Sequence, residues 1–383
     1  MNERIGLVLT GGGARAGYQA GVMKGIAEII GPKANDAWPF HILVGTSAGA
    51  INSAFLASKS GGSFTEATTA LDGLWSALTA EKVVRSDVLT LTALGLRWLR
   101  DLSLGGLLGN SRSTHLLDAS PLWEFLSQQI DFTALKANLQ NGALHGLAIS
   151  ATNYLIGSTV IFFDGAPAIK PWVRSSRVGV RSGITLKHVL ASAAIPVFFQ
   201  PVKLNGAYYG DGCVRLTTPL SPAIHLGADR VLAIGIRHQR PDNLTLRLVQ
   251  NGEMPAISLV DIAGVMLNAA FLDALDTDIE RMQRINKTIA ALRQAGKEHP
   301  DKLREVPLLV LSPSQDLGTL ASEQFNRFSN MLRYLLKGIG ASSEKGWDLL
   351  SYLAFDEAYT GRLLELGYQD ALAHRDAIQQ FLG

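Results

Sequence analysis

Short apolar runs alternate with stretches of helical apolar spacing along most of this 383-residue chain. Runs at 5–9, 40–44, 144–152, 159–163, 201–204, 207–209, 231–236 and 306–311 read as strands, since each is apolar or alternating and bounded by turn-forming residues. Between them, 18–29, 48–58, 186–194 and 222–226 read as helices, with Gly31-Pro32 and Pro196 as stop signals. Asn205-Gly206 is a two-residue hairpin signal between its flanking strands. Further on, Val260, Val265, Leu272, Leu275, Ile279, Met282, Ile285 and Ile289 keep helical spacing, so 256–292 reads as one long helix; 325–382 reads as helices throughout. The alternation predicts an α/β fold with a central, mostly parallel sheet flanked by helices, followed by a mostly helical extension.

Two glycine-rich turns interrupt this pattern early. The first, Thr10-Gly11-Gly12-Gly13-Ala14-Arg15-Ala16-Gly17, follows one strand and precedes a helix, so its backbone N–H groups are available to an anion. Its spacing also fits a dinucleotide-binding turn, which expects an acidic residue at the end of the second strand. That strand instead ends in Val44-Gly45-Thr46-Ser47. The competing reading is an oxyanion hole, in which each preorganised donor commonly contributes about 3 kcal/mol to acyl transfer. Arg15 either holds this loop, adds positive charge to it, or pairs with a carboxylate at the surface. The second turn, Gly45-Thr46-Ser47-Ala48-Gly49, has the Gly-x-Ser-x-Gly form between a strand and a helix, which exposes a serine at a tight corner. The plainer alternative makes Ser47 a helix N-cap.

A nucleophilic serine needs a base, and two residues compete for that role. His238, just past the 231–236 strand, gives the order serine, acid, histidine of an α/β-hydrolase triad. Only one strand precedes the Ser47 corner, however, whereas such elbows follow several. Asp211 stands between Gly210 and Gly212, whose missing side chains let a short carboxylate enter a cleft. Its ordinary pKa of about 3.9 makes it a weak base unless its surroundings raise it.

Composition narrows the classes. Thirty-five basic against 33 acidic residues give a formal charge of +2, and no run of Lys and Arg tracks a phosphate backbone, so a nucleic-acid partner is not expected. The single cysteine, Cys213, leaves no internal disulfide and fits a reducing compartment. Met1-Asn2-Glu3-Arg4 leads into too short an apolar run for a signal-peptide core, and no uninterrupted apolar stretch reaches about 18 residues. The expectation is a cytoplasmic protein, peripheral at the membrane if it touches one. Residues 88–108 are rich in Leu and carry Trp98 between Arg97 and Arg100, which suits a lid or an interface-seeking helix. A buried core or subunit-interface helix is the alternative for the same segment.

Taken in order, Gly11-Gly12-Gly13-Ala14-Arg15, Gly45-Thr46-Ser47-Ala48-Gly49 and Asp211-Gly212 resemble the patatin-like phospholipases. Ala191-Ser192-Ala193-Ala194-Ile195-Pro196, Phe199-Gln200-Pro201-Val202, Pro219-Leu220-Ser221-Pro222 and Leu226-Gly227-Ala228-Asp229 add to the likeness, and the later helices look like those of bacterial members. Two positions depart from the family pattern: Ala16 stands where the glycine loop often has Gly, and Cys213 where Gly or Ala usually follows Asp-Gly.

The resemblance implies a three-layer patatin-like fold with a catalytic domain over 5–236 and a helical extension over 237–383 that holds one strand near 306–311. It further implies lipid acyl hydrolysis by a Ser47–Asp211 dyad through an acyl-enzyme. Gly11, Gly12, Gly13 and Arg15 would form the oxyanion hole, and Gly45, Gly49 and Gly212 would support the motifs. A lipid or lysophospholipid is the expected substrate, and no metal or cofactor is expected.

Overall fold

A computed structural model of the chain describes residues 3–31, 38–85, 115–239, 242–251, 259–297, 299, 303–327, 333 and 347–383. Its strands are β1 (Ile5–Leu9), β2 (Ile42–Thr46), β3 (Gly146–Asn153), β4 (Ser158–Gly165), β5 (Trp172–Arg174), β6 (Arg177–Arg181), β7 (Val202–Leu204), β8 (Ala207–Asp211), β9 (Arg230–Ile234) and β10 (Leu308–Leu311). They form one mixed sheet in the order β10-β9-β1-β2-β3-β4-β6-β5, with β8 joined to β3 and β7 to β8. From β10 to β3 every pairing is parallel. The β1 and β2 runs are buried over their whole length, as strands covered on both faces must be.

The helices are α1 (Gly17–Ile30), α2 (Ala48–Lys59), α3 (Phe64–Ala77), α4 (Ala80–Val83), α5 (Ser120–Gln129), α6 (Phe132–Gln140), α7 (Leu186–Ala193), α8 (Ser221–His225), α9 (Asp242–Asn251), α10 (Leu259–Phe271), α11 (Asp273–Gln294), α12 (Leu317–Gln324), α13 (Trp347–Leu353), α14 (Glu357–Ala373) and α15 (Arg375–Leu382). One face of the sheet, through Leu7, Leu43, Leu147 and Phe162, packs against α1, α2 and α7. The other, through Val8, Val44, Ala148 and Ile161, packs against α8 and α11. Among the described residues no helix is long and apolar enough to cross a membrane.

Residues beyond 236 enter both layers. β10 extends the sheet beside β9. α14 lies against α1, and the approach is close enough that a side chain at Gly21 would strike the Leu364 carbonyl, and one at Gly367 the Tyr18 carbonyl.

Several elements differ from the sequence reading. Residues 256–292 do not form one helix: α10 ends at Phe271 and α11 begins at Asp273, with Leu272 between them at φ −110° and ψ −40°. The break lets Phe271 and Leu272 join one core while Leu275, Ile279 and Met282 join the other, which a straight helix cannot do. β5 and β6 went unread because they are short, half-exposed and rich in arginine rather than apolar. α3, α5 and α6 were also unassigned, although the Ser63 hydroxyl accepts the Glu66 N–H, and Asp131 accepts those of Thr133 and Ala134. At Asn205-Gly206 the φ values of 48° and 87° are those of the expected hairpin turn. The segment 88–108 lies outside the described residues.

Candidate active site

Ser47 is the first residue after β2 and immediately precedes α2, with φ 54° and ψ −127°. A side chain at positive φ costs roughly 1–3 kcal/mol and persists only where the surroundings fix it. Here the fixing is visible. The Ser47 N–H donates to Ser192 Oγ at 2.8 Å, and the Ser192 hydroxyl donates to the Ser150 carbonyl at 2.6 Å. The corner is tight because a side chain at Gly45 would meet the backbone of Gly49 and Ala50, and one at Gly49 would meet the Leu9 and Thr10 carbonyls.

Sheet register brings Asp211 to this corner. Thr46 pairs with Ser150 of β3, and where β2 ends, antiparallel β8 takes over with Asp211 opposite Ala151. The Ser47 hydroxyl donates to Asp211 Oδ2 at 2.6 Å. Asp211 Oδ1 accepts the Cys213 N–H at 2.9 Å; its own N–H donates to the Ala194 carbonyl, and its carbonyl accepts the Thr152 hydroxyl. Gly212 leaves room for the Ser150 carbonyl. Burial pushes the Asp211 carboxyl up to about 7, although the Ser47 and Cys213 donors pull the other way. The histidine alternative is not what the fold assembles: His238 Nδ1 lies 2.9 Å from the Pro313 carbonyl.

The glycine loop sits beside the serine. A side chain at Gly11 would come within 2.5 Å of both Ser47 Cβ and Cys213 Sγ, so only glycine fits between them. The Gly11 N–H faces the Cys213 sulfur, and no turn or loop hydrogen bond to a backbone carbonyl engages the Gly12 or Gly13 N–H among the described residues. Both ends of the loop are anchored from beneath. Gln19 Nε2 donates to the Thr10 carbonyl at 2.9 Å, Asn52 Nδ2 donates to Gln19 Oε1 and to the Ala16 carbonyl, and Trp75 Nε1 donates to Asn52 Oδ1 at 2.7 Å. Ala16 is fully buried in this packing.

Arg15 is not a surface residue. It is buried, its Nε donates to Ser351 Oγ at 2.7 Å, and one guanidinium nitrogen reaches Asp348 Oδ1 at 2.9 Å. The guanidinium lies 4.3 Å from the centre of the Tyr352 ring. Gly13, at φ 57°, faces the Tyr352 carbonyl so closely that no side chain fits. Arg15 therefore spends its hydrogen bonds on α13 and holds the loop. Sequence reasoning missed Gln19, Asn52, Trp75, Asp348 and Ser351, since nothing local marks a partner tens or hundreds of residues away. Ser192, by contrast, lies within the 191–196 segment that carries part of the family resemblance.

Burial raises the Cys213 thiol well above its ordinary value, with the Asp211 charge acting in the same direction. Among the described residues no three His, Cys, Asp or Glu side chains gather as metal ligands would.

Among solved structures, VipD from Legionella pneumophila is similar at 13% identity and a TM-score of 0.38, covering 98% of this chain and 67% of its own. Human GIVD cytosolic phospholipase A2 in complex with methyl γ-linolenyl fluorophosphonate inhibitor and terbium chloride is similar at 14% identity and a TM-score of 0.43, covering 99% of this chain and 59% of its own. The chain thus spans about three-fifths to two-thirds of the length of these structures. No curated protein matches it in sequence. The profile of the family described as patatin-like phospholipase matches residues 7–224, which is more than half of the chain and includes the glycine loop, the serine corner and Asp211. By this match the chain belongs to the patatin-like phospholipase family.

Proposed function

We propose that this chain hydrolyses fatty-acyl esters of lipids with Ser47 as nucleophile and Asp211 as its base. The observation that carries the reading is the 2.6 Å bond from the Ser47 hydroxyl to a buried carboxylate whose pKa is raised to about 7. A carboxylate at its ordinary pKa is too weak to take a serine proton efficiently; one raised toward neutrality is a better match to that task. Ser47 Oγ attacks the ester carbonyl while its proton passes to Asp211, and the negative oxygen of the tetrahedral intermediate takes hydrogen bonds from the Gly11–Gly13 loop amides. Collapse expels the alcohol, which leaves with the proton held by Asp211. Water then enters and attacks the acyl carbonyl while Asp211 accepts its proton; collapse breaks the bond to Ser47 Oγ, which takes that proton back, and the fatty acid departs. Arg15 acts on this loop through α13, not by touching the oxyanion. No step requires a metal, because the nucleophile is a side chain and amides hold the developing charge.

Family membership supports a lipid as the acyl donor. A cleft of about 480 Å³, lined in part by Leu122, Trp123, Leu190, Ala194, Phe199 and Val202, shares Ala194 with the support of Asp211, and we place the acyl chain there. Incubation of the full chain with a fluorophosphonate, followed by peptide mapping, tests the nucleophile. Labelling confined to Ser47 is expected; labelling of another serine would overturn the assignment.

A further inference from the structure

Two arginines of one hairpin and a third on α11 lie on the opposite face of the sheet from the dyad, close to one buried carboxylate, Asp278, but not ion-paired to it. Arg177 is in register with Thr159 of β4, whose neighbours Ile161 and Phe163 belong to the core beneath α8 and α11. Asp211 is in register with Ala151, which belongs to the other core. Residues in register share a face, so the two groups lie on opposite sides of one sheet. The row from Arg177 through Thr159 and Thr152 to Gly210 crosses four strands, roughly 14 Å at the usual strand spacing.

The hairpin of β5 and β6 sets Arg174 directly opposite Arg177, an arrangement in which like charges repel. Burial and the neighbouring Arg281 of α11 and Arg174 disfavour the Arg177 charge, and Asp278 offsets them in part. Among the described residues, none of the three is within ion-pair distance of a carboxylate. The nearby carboxylate, Asp278, is buried and accepts the Leu220 N–H at 2.9 Å. Arg177 Nε and Trp172 Nε1 are both buried without a hydrogen-bond partner. A buried donor left unmade costs about 1–3 kcal/mol, so Arg177 Nε has hydrogen-bonding capacity to offer an anion. The Trp172 ring stacks on His225 at 4.4 Å and 10°, and on Phe163 at 5.0 Å and 22°, and the charges of Arg174 and Arg177 act on His225.

The geometry points to a phosphoryl-anion site formed by Arg174, Arg177 and Arg281. A single carboxylate needs only one guanidinium fork, whereas several guanidinium groups around one point suit the tetrahedral oxygens and higher charge of a phosphate ester. The same chemistry is offered by an anionic lipid headgroup and by a soluble phosphate.

Two probes separate those sources. Calorimetric titration of the full chain with inorganic phosphate is expected to show saturable binding, weakened about tenfold or more for each arginine removed in Arg177→Gln, Arg281→Gln and the double variant. Co-sedimentation with vesicles of phosphatidylcholine, alone or with phosphatidic acid, supplies the second arm. Loss of the phosphatidic-acid preference in the double variant assigns the site to a lipid headgroup; retention of it alongside lost phosphate binding assigns it to a soluble phosphate. Arg281→Gln alters an exposed helix position, so its result stands even if Arg177→Gln folds poorly. Absence of phosphate binding together with absence of a phosphatidic-acid preference in the parent would overturn the proposal, as would parent-like behaviour of the double variant in both assays. Ser47→Ala is expected to bind phosphate as the parent does, which keeps this test independent of the hydrolase reading.

Discussion

Ser47 and Asp211 meet because two strands running in opposite directions end on neighbouring positions of a third. Thr46 lies opposite Ser150, and Asp211 lies opposite Ala151. One residue past Thr46 the chain turns through the positive-φ Ser47, and its hydroxyl reaches Asp211 Oδ2 at 2.6 Å. Ser47 is placed by a local corner and Asp211 by a long-range register, so each is open to separate perturbation.

On the proposed mechanism, loss of either group is expected to remove the chemistry without removing the fold. Ser47→Ala and Asp211→Asn are each expected to lower kcat on a chromogenic acyl ester by about 10³-fold or more, and the double variant to be no worse than either alone, since the two act as one unit. His238→Ala, whose ring lies against the Pro313 carbonyl, is expected to retain most activity. If His238→Ala proves as inactive as Ser47→Ala, the dyad is wrong.

The raised Asp211 carboxyl fixes the sign of two pH effects. As the base, it works when ionised, so kcat is expected to rise with pH through about 7 in the parent. For stability the direction is reversed. The folded chain holds the Asp211 proton up to about 7, while the unfolded chain releases it near 3.8. The contribution of the protonated form is therefore fully present below about 3.8 and is lost as pH rises through about 7. Asp211→Asn, which cannot ionise, is expected to melt higher than the parent at alkaline pH, with the advantage shrinking as pH falls toward 4. A constant difference across that range would show that the carboxyl titrates normally.

Arg15 and Asp348 couple the glycine loop to α13. Asp348 is 42% exposed, which weakens the ion pair, and Ser351 still serves Arg15 when the carboxylate is gone. Asp348→Ala is thus expected to cost about 1 kcal/mol of stability, whereas Arg15→Leu, which strips the buried Ser351 hydroxyl of its donor and the loop of its anchor, is expected to cost about 2–3 kcal/mol. Both are expected to reduce kcat more than they raise KM. Denaturant melts and Michaelis curves on the two variants measure this, and an unchanged kcat in Arg15→Leu would remove α13 from the account of the loop.

Leu190 tests where the acyl chain lies. It lines the 480 Å³ cleft and is 8% exposed. Leu190→Trp narrows the cleft and is expected to lower kcat/KM for a palmitoyl ester about tenfold relative to a butyryl ester. Equal effects on both esters would place the chain elsewhere.

Much of the frame is legible in the residues themselves. β1, β2, β3 and β9 are apolar runs, the Asn205-Gly206 hairpin follows from its two left-handed residues, and the glycine corner around Ser47 follows from Gly45 and Gly49 meeting neighbouring backbone. Elements whose signal is weaker or split escape such a reading. β5, at the sheet edge, and its neighbour β6 are short strands of three and five residues, each carrying arginine, and the helical spacing across 259–294 runs straight through the Leu272 break because both helices keep an apolar stripe.

The sequence by itself determined the order of strand, glycine loop, serine corner and aspartate, because each depends on contacts within a few residues. Tertiary structure decided which partner each one finds. His238 and Asp211 compete on the residues alone, the family resemblance favours Asp211, and the pairing of β8 with β3 is what sets Asp211 beside Ser47. Arg15 is an ordinary cation in sequence, yet α13 gives it Ser351 and Asp348 more than 300 residues away. Arg174, Arg177 and Arg281 are likewise unrelated until a hairpin and a helix set them together. Local patterns fix backbone shape through short-range sterics and burial, whereas the charges and hydrogen bonds that give a site its chemistry depend on register and packing between distant segments.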